Sequence, residues 1–401
     1  MTQAQRGAPG APFWAVALLL FSAGWAANHF ASMLPVLRVE GPLSAVAVNS
    51  AFGVYAVGLL PGLLGGGGLA DRFGPRPVVL TGSLTAAVGN VVMIFGFTEP
   101  FILTGRLIVG VGVGLAVSAG TAWAAGLRGT PGAALAGLIL TCGFAAGPVI
   151  TGAFAAVLPG AGRLTVPYAT TAALSLLAVA AALRAGKGAT APSPGSGPGA
   201  GPGEKPRSAP GPQRGGFRAL AAALPMALWV FSCATVAFVV LPARLPASEE
   251  LRMLLPGAAA ALAFSTGLGV QVMARRQCWG PFAGVAGALL AAAGFVLVAV
   301  GGQAPSVWLF LGGILLLGAA YGLCLREGLV DVDRLVPPAS RGLVIGVYYT
   351  FTYLGFGLPV LLEALGPAWG PSLPLVVLAG AAVVVAVLRA LHIRCTDHLI
   401  R

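Results

Sequence analysis

Long apolar runs separated by short polar segments dominate the chain. They fall near 13–36, 43–69, 77–97, 101–123, 133–158 and 165–184, then near 218–241, 253–274, 282–302, 306–325, 342–364 and 371–391. A helix needs about 20 apolar residues to cross a bilayer, and runs of this length meet that need. The predicted fold is all-α, a polytopic membrane protein whose twelve transmembrane helices form two pseudo-symmetric six-helix bundles. The break at 185–217 is rich in Gly, Pro and Ser. Such a composition cannot build a core, so it reads as a flexible linker on the cytoplasmic side. The expected domains are an N-terminal bundle at 1–184, the linker, and a C-terminal bundle at 218–401 that ends in a short tail. Arg6 before the first run imitates a secretory signal, but the run is long enough to span and more spans follow, which favours an uncleaved first helix.

Composition sharpens this picture. Of 401 residues, 57% are hydrophobic and 8% charged, and the mean hydropathy is +0.91. A soluble domain of this size carries far more charge. The net charge of +12 would suggest nucleic acid in a soluble protein. Here it reflects basic loops, and no nucleic-acid partner is expected. If both termini are cytoplasmic, 18 of the 23 Lys and Arg fall on that side. Arg38, Arg163, Arg244 and Arg252 fall outside, and Arg106 lies within a span. This asymmetry is the positive-inside pattern. Heavy use of Ala, Gly and Arg hints at a GC-rich bacterial genome, so the expected location is a bacterial cytoplasmic membrane. The five cysteines lack metal-ligand spacing, and no disulfide, metal or cofactor is expected. No cluster of His, Asp or Glu suggests a membrane enzyme, and no phosphate-binding G-x-x-x-x-G-K-[ST] suggests an ATP-driven pump. The expected partners are the lipid bilayer and a small-molecule substrate, and the chain is expected to be monomeric.

Three stretches carry chemistry. The first is Gly67-Gly68-Leu69-Ala70-Asp71-Arg72-Phe73-Gly74-Pro75-Arg76, read as a polar turn between the second and third spans. It resembles the G-x-L-A-D-R-x-G-R-R loop of the major facilitator superfamily at Gly67, Leu69, Ala70, Asp71, Arg72, Gly74 and Arg76. It departs from that pattern at Pro75. The resemblance implies a secondary transporter in which Asp71 belongs to a cytoplasmic gate, engaged when the outer side is open. The second, Arg106 followed by Gly110 and Gly112, is similar to the family's helix-four motif. That arginine is associated with proton coupling or anionic substrate groups, and the alternative reading is an arginine snorkelling to the interface. The third, Gly143-Phe-Ala-Ala-Gly147-Pro148-Val-Ile-Thr151-Gly152, is similar to the family's antiporter motif and points to export. Generic small-residue packing is the other reading.

Further residues are candidates by position. Trp25, Asn28 and His29 share one face of the first helix, which lines the central cavity in the family. Trp229 and Ser232 are cavity candidates in the seventh helix, and Tyr349 and Tyr353 in the eleventh. A faint internal repeat pairs Trp25 with Trp229, Phe73-Gly74-Pro75 with Trp279-Gly280-Pro281, and Gly147-Pro148 with Gly357-Leu358-Pro359 at similar offsets. No carboxylate lies near the middle of any span, so proton coupling rests on His29 and on the resemblance. The charge-mixed stretch Arg326, Glu327, Asp331, Asp333, Arg334 and Arg341 reads as an inner gate or a solvated ion-pair loop. The expected function is export of small amphipathic or apolar molecules by alternating access. The alternative is import or facilitated passage of a small metabolite, an anionic one being held at Arg106.

Overall fold

A computed structural model describes residues 11–41, 43–185, 214–336 and 338–400. Twelve helices among them are long and apolar enough to cross a membrane. In the first half these are α1 (Phe13–Glu40), α2 (Val46–Phe73), α3 (Pro75–Phe95), α4 (Glu99–Gly129), α5 (Ala134–Val157) and α6 (Ala161–Arg184). In the second half they are α7 (Leu220–Arg244), α8 (Glu249–Arg276), α9 (Phe282–Gly301), α10 (Val307–Val332), α11 (Val344–Trp369) and α12 (Leu373–Arg394). No strand occurs among the described residues. The face that carries the two described chain ends is called the terminal face below, and the other the opposite face. Residues 186–213, most of the predicted linker, lie outside the described residues.

Several boundaries move from their expected places. The stretch read as a polar turn is almost entirely helical. Asp71, Arg72 and Phe73 form the last turn of α2, Gly74 alone turns the chain with φ 86°, and Pro75 opens α3. A positive φ suits glycine, and proline is at ease on the first turn, where its missing N–H is not needed. Gly129, φ 64°, makes the same abrupt turn between α4 and α5, with Pro131 following. The helix containing α7 begins at Arg214, inside the predicted linker. The helix containing α10 continues to Leu335, so Arg326, Glu327 and Asp331 stand on a helix and not in a loop.

Helix contacts sort into two sets of six. In the first half α4 packs on α2 and α3, and α5 on α1. In the second half α10 packs on α7, α8 and α9, and α9 on α12. Lipid is as apolar as leucine, so association relies on close contact of small residues. On α4 the contacts divide by side. Gly110 meets the Tyr55 carbonyl of α2, while Gly112 meets Gly82 and Ala86 of α3. Gly114 approaches Gly62, and a Cβ built there would lie 2.9 Å from the Gly62 Cα. Glycines on both sides thus wedge α4 between its neighbours. The same device recurs between α8 and α10, where Gly322 meets Gly267.

Three of the long helices are interrupted, each just before a proline. A 3-10 turn at His29–Ser32 precedes Pro35, and a π turn at Val236–Val240 precedes Pro242. A second 3-10 turn at Leu354–Gly357 precedes Pro359. Proline removes one backbone donor and bends the helix there.

Gly110→Ala is expected to lower stability by about 1–3 kcal/mol, because the new methyl meets backbone that cannot move aside. Gly269→Ala, whose Cβ meets nothing within 4 Å, is expected to raise stability by about 0.5–1 kcal/mol through helix propensity. Thermal unfolding of the purified protein in detergent measures both, and equal midpoints would contradict this packing.

Candidate functional site

The proline of α5 organises the first part of the site. Pro148 has no N–H to give the Phe144 carbonyl one turn back, so that oxygen is left over inside the membrane. The Asn28 carboxamide of α1 donates to it at 3.4 Å. Ser32 of the same helix donates to the Pro148 carbonyl at 2.7 Å. Gly143 and Gly147 permit this proximity, packing against Gly24 and Trp25 of α1. Beyond the proline the helix turns its other side to the second half. Gly152 lies against the Met253 carbonyl, and Gly257 of α8 lies against Pro148 and Val149. The stretch Gly143–Gly152 therefore binds its own half and the other half at once.

A matching arrangement occurs between α7 and α11. Pro359 cannot donate to the Gly355 carbonyl, which takes the Leu358 N–H through the 3-10 turn instead. The Thr235 hydroxyl of α7 lies 3.1 Å from the same oxygen and 2.8 Å from the Phe231 carbonyl of its own helix. Gly355 lets the α11 backbone touch the α7 backbone at Phe231 and Ser232. The paired Gly-Pro stretches thus perform one physical task in the two halves.

Arg106 is fully buried. Its Nε donates to the Ala51 carbonyl at 3.3 Å and its Nη2 to the Ala27 carbonyl at 3.5 Å. Three rings face the guanidinium carbon: Tyr55 at 4.2 Å, Phe30 at 4.6 Å and Phe52 at 5.6 Å to their centroids. A ring face attracts a cation, and the attraction strengthens when water is excluded. Among the described residues Nη1 has no hydrogen-bond partner, nor do the buried hydroxyls of Tyr55 and Tyr168 or either ring nitrogen of His29. His29 stands edge-on to Tyr168 of α6 at 5.6 Å and lies beside Asn90 of α3 and Arg106. This is a buried polar cluster inside the first half, rich in donors, with an arginine as its charged member.

From this cluster a continuous series of rings crosses to the second half. Phe52 stacks on Phe356 of α11 at 6.1 Å, and Tyr55 meets the same ring at 5.6 Å. Phe356 lies 4.8 Å from Phe231 of α7, which stacks on Tyr353 at 4.6 Å. Phe144 of α5 contacts Phe231 and Phe264 of α8 at 5.9 and 5.8 Å. The boundary between the halves is an aromatic seam, suited to apolar and aromatic matter. On the opposite face, Arg163 of α6 bridges Glu40 of the first half at 3.0 Å and Glu249 of the second at 3.3 Å. The halves are therefore closed against each other on that side.

The remaining candidates occupy varied places. Trp25 donates to Thr171 of α6 at 3.0 Å, so Trp25 and His29 face into the first half and not across to the second. Trp229 packs on Phe295 of α9 at 6.0 Å. The Ser232 hydroxyl bonds back to Leu228 of its own helix at 2.6 Å. Tyr353 is buried in the seam, and half-buried Tyr349 sits edge-on to Tyr348 at 6.0 Å. In the α2–α3 stretch, Gly67 lies 3.9 Å (from a built Cβ) from Ser118, Leu69 is exposed, and Arg72 lies over the Phe73 ring at 5.1 Å. Arg76 donates to the Ala182 carbonyl at the end of α6 at 3.1 Å, where a cation favours the helix dipole. Asp71 is exposed and shows no hydrogen bond or ion pair among the described residues. The expected solvated cluster on α10 is instead largely buried. Glu327, 2% exposed, pairs with its neighbour Arg326 and with Arg389 of α12 at 3.7 Å. Arg389 also holds Asp331 at 2.7 Å. Asp333 and Arg341 have side chains outside the described set.

Two kinds of comparison place this geometry. The family model of the Major Facilitator Superfamily matches residues 16–360, and the chain belongs to that family. It is a multi-pass membrane transporter. A 97-residue segment is 31% identical to "Multidrug resistance protein MdtL" of Shigella flexneri serotype 5b (strain 8401), and 30% identical to its namesake in Escherichia coli (strain K12 / DH10B). Each match spans 24% of this chain and 24% of the relative. Among solved structures, a POT family transporter in complex with 5-aminolevulinic acid superposes with TM-score 0.76 at 15% identity, covering 96% of this chain and 97% of the other. A D-xylose-proton symporter superposes with TM-score 0.71 at 18% identity, covering 94% and 96%. These two likenesses concern the fold alone.

Two predictions follow from the geometry. Asn28→Leu leaves the proline-freed Phe144 carbonyl without its donor and Thr235→Val removes the interhelical bond to the Gly355 carbonyl, and each is expected to lower stability by about 1 kcal/mol, the usual scale for such bonds in membranes. Thermal unfolding tests this, and a midpoint equal to the parent's in both variants would refute the pairing. Arg106→Lys keeps the charge but loses the flat face and the fork, and is expected to lower stability by about 1–2 kcal/mol. A lysine variant as stable as the parent would show that charge alone matters there.

Proposed function

We propose that this transporter exports small amphipathic or apolar molecules by alternating access, with the terminal face in the cytoplasm of a bacterium. The observation that carries the proposal is the aromatic seam between the halves, with Phe144, Phe231, Tyr353 and Phe356 at its centre. Opened on one side, such a seam offers rings to a substrate and asks for little charge in return. The partial likeness to a multidrug resistance protein and the Gly143–Gly152 stretch support the direction. The exposure of Asp71 while the opposite face is closed agrees with a gate carboxylate that engages only in the other state. The basic residues gathered on the terminal face support the orientation. Proton coupling is part of this proposal. The second reading, passage of an anionic metabolite at Arg106, draws on the unpartnered Nη1 of that side chain.

The test measures accumulation of labelled amphiphiles in cells making the protein or its Asp71→Asn variant, with and without a protonophore. Export predicts lower accumulation of some compound, lost in the variant and lost with the protonophore. Higher accumulation would overturn export, and for an anionic compound it would favour the second reading.

A further inference from the structure

At the opposite face, a cavity of about 90 Å³ lies between the halves. Its walls are apolar: Leu34, Pro35 and Val39 from α1, Val239 and Pro242 from α7, and Pro256 from α8. Two charged side chains join them, Arg38 from the first half and Arg252 from the second. No acidic residue lines the cavity. Nearby carboxylates are engaged around it. Glu363 of α11 acts on Arg38 from outside the lining, and Glu249 pairs with Arg163. Arg252 gives Nη2 to the Ala247 carbonyl at 3.4 Å and has further donors to offer.

We propose that this cavity binds a small organic anion, a carboxylate carrying a short apolar tail. Arg38 and Arg252 line this space from the two halves, and a carboxylate placed there accepts charge-assisted hydrogen bonds from both. The tail rests on Leu34, Pro35, Val239 and Pro242. Size limits the ligand. At roughly 10–15 Å³ for each water-sized group, about 90 Å³ admits about six heavy atoms, the size of butyrate. A lipid could present an anionic headgroup, but its acyl chains exceed this space. Because one arginine comes from each half, a bound anion ties the halves together where Arg163 already joins Glu40 to Glu249. Occupancy therefore favours the state closed at the opposite face, and opening expels the anion. The inference needs the two-half architecture but not export.

The test is calorimetric titration of the purified full chain in nanodiscs of neutral phosphatidylcholine, with butyrate and with butyramide, its uncharged counterpart. Butyrate is expected to bind saturably and butyramide not at all. Arg38→Gln and Arg252→Gln are each expected to weaken butyrate binding about tenfold or more, as loss of a charged hydrogen-bond partner does. Arg252→Gln is the cleaner variant, since Arg38 also answers to Glu363, and an unchanged unfolding midpoint shows that it folds. Equal binding of butyramide, no butyrate binding, or parental affinity in both variants would overturn the proposal. So would displacement of butyrate by phosphatidylglycerol added to the nanodisc, which would give the site to a lipid headgroup. None of these outcomes depends on which way substrates travel.

Discussion

A carbonyl oxygen deprived of its helical donor inside a membrane must find another, because no water is at hand to supply one. Much of this structure follows from where that demand arises. Pro148 strips the Phe144 carbonyl of its donor on α5, and on α11 Pro359 forces the Gly355 carbonyl onto the Leu358 N–H of a 3-10 turn with an acceptor lone pair to spare. Asn28 of α1 and Thr235 of α7 answer them. Each answer requires two helices at close range, and the glycines at 143, 147 and 355 allow it. The bend and its cap thus fix the pairs α1–α5 and α7–α11. Those pairs hold Phe144 and Phe231, on which the boundary between the halves is built. Remove the prolines, and neither the bends nor the polar caps have a purpose.

The buried arginine obeys the same constraint with the sign reversed. A guanidinium in the membrane interior needs acceptors, and no carboxylate stands beside it among the described residues. Two carbonyls and three ring faces take that role. Rings neutralise nothing, so the charge is stabilised without being cancelled. Two of those rings, Phe52 and Tyr55, touch Phe356 of the other half. Arg106 therefore lies one aromatic layer from the boundary between the halves. The second half treats charge differently, gathering Arg326, Glu327, Asp331 and Arg389 into an ion cluster between α10 and α12. The pseudo-symmetry extends to backbone and prolines but not to charge.

Much of the fold was legible because each signal was long or chemically unambiguous. Twelve apolar runs announce twelve spans, and Asp71, Arg72 and Gly74 mark a turn whatever its length. Helix ends were less legible. Hydropathy falls where charge begins, yet α2 continues through Arg72, and the helix of α10 passes Glu327 to Leu335. Charged residues near a helix end still satisfy the backbone, so polarity does not signal a break. The direction of side chains was harder still. Trp25, Asn28 and His29 share a face, but that face meets α5 and α6 of the same half, with Trp25 on Thr171, Asn28 on the Phe144 carbonyl and His29 on Tyr168. The box around Arg106 was invisible for another reason. Phe30, Phe52 and Tyr55 look like ordinary lipid-facing residues until α1, α2 and α4 are brought together.

The repeated Gly-Pro stretch shows how such a signal is best read. Taken alone, Gly143–Gly152 is either a marker of transport direction or a smooth packing face. The structure removes the opposition. The glycines are a packing face toward α1, and the proline and Gly152 are a packing face toward α8 of the other half. Small residues on both sides and one fixed bend between them let this segment lie against its own half and the other. Larger side chains would lock both contacts. A regular helix would have no spare carbonyl for Asn28 to grip. The motif is thus legible as mechanics before it is legible as direction, and the same mechanics serve any substrate that fits between the rings.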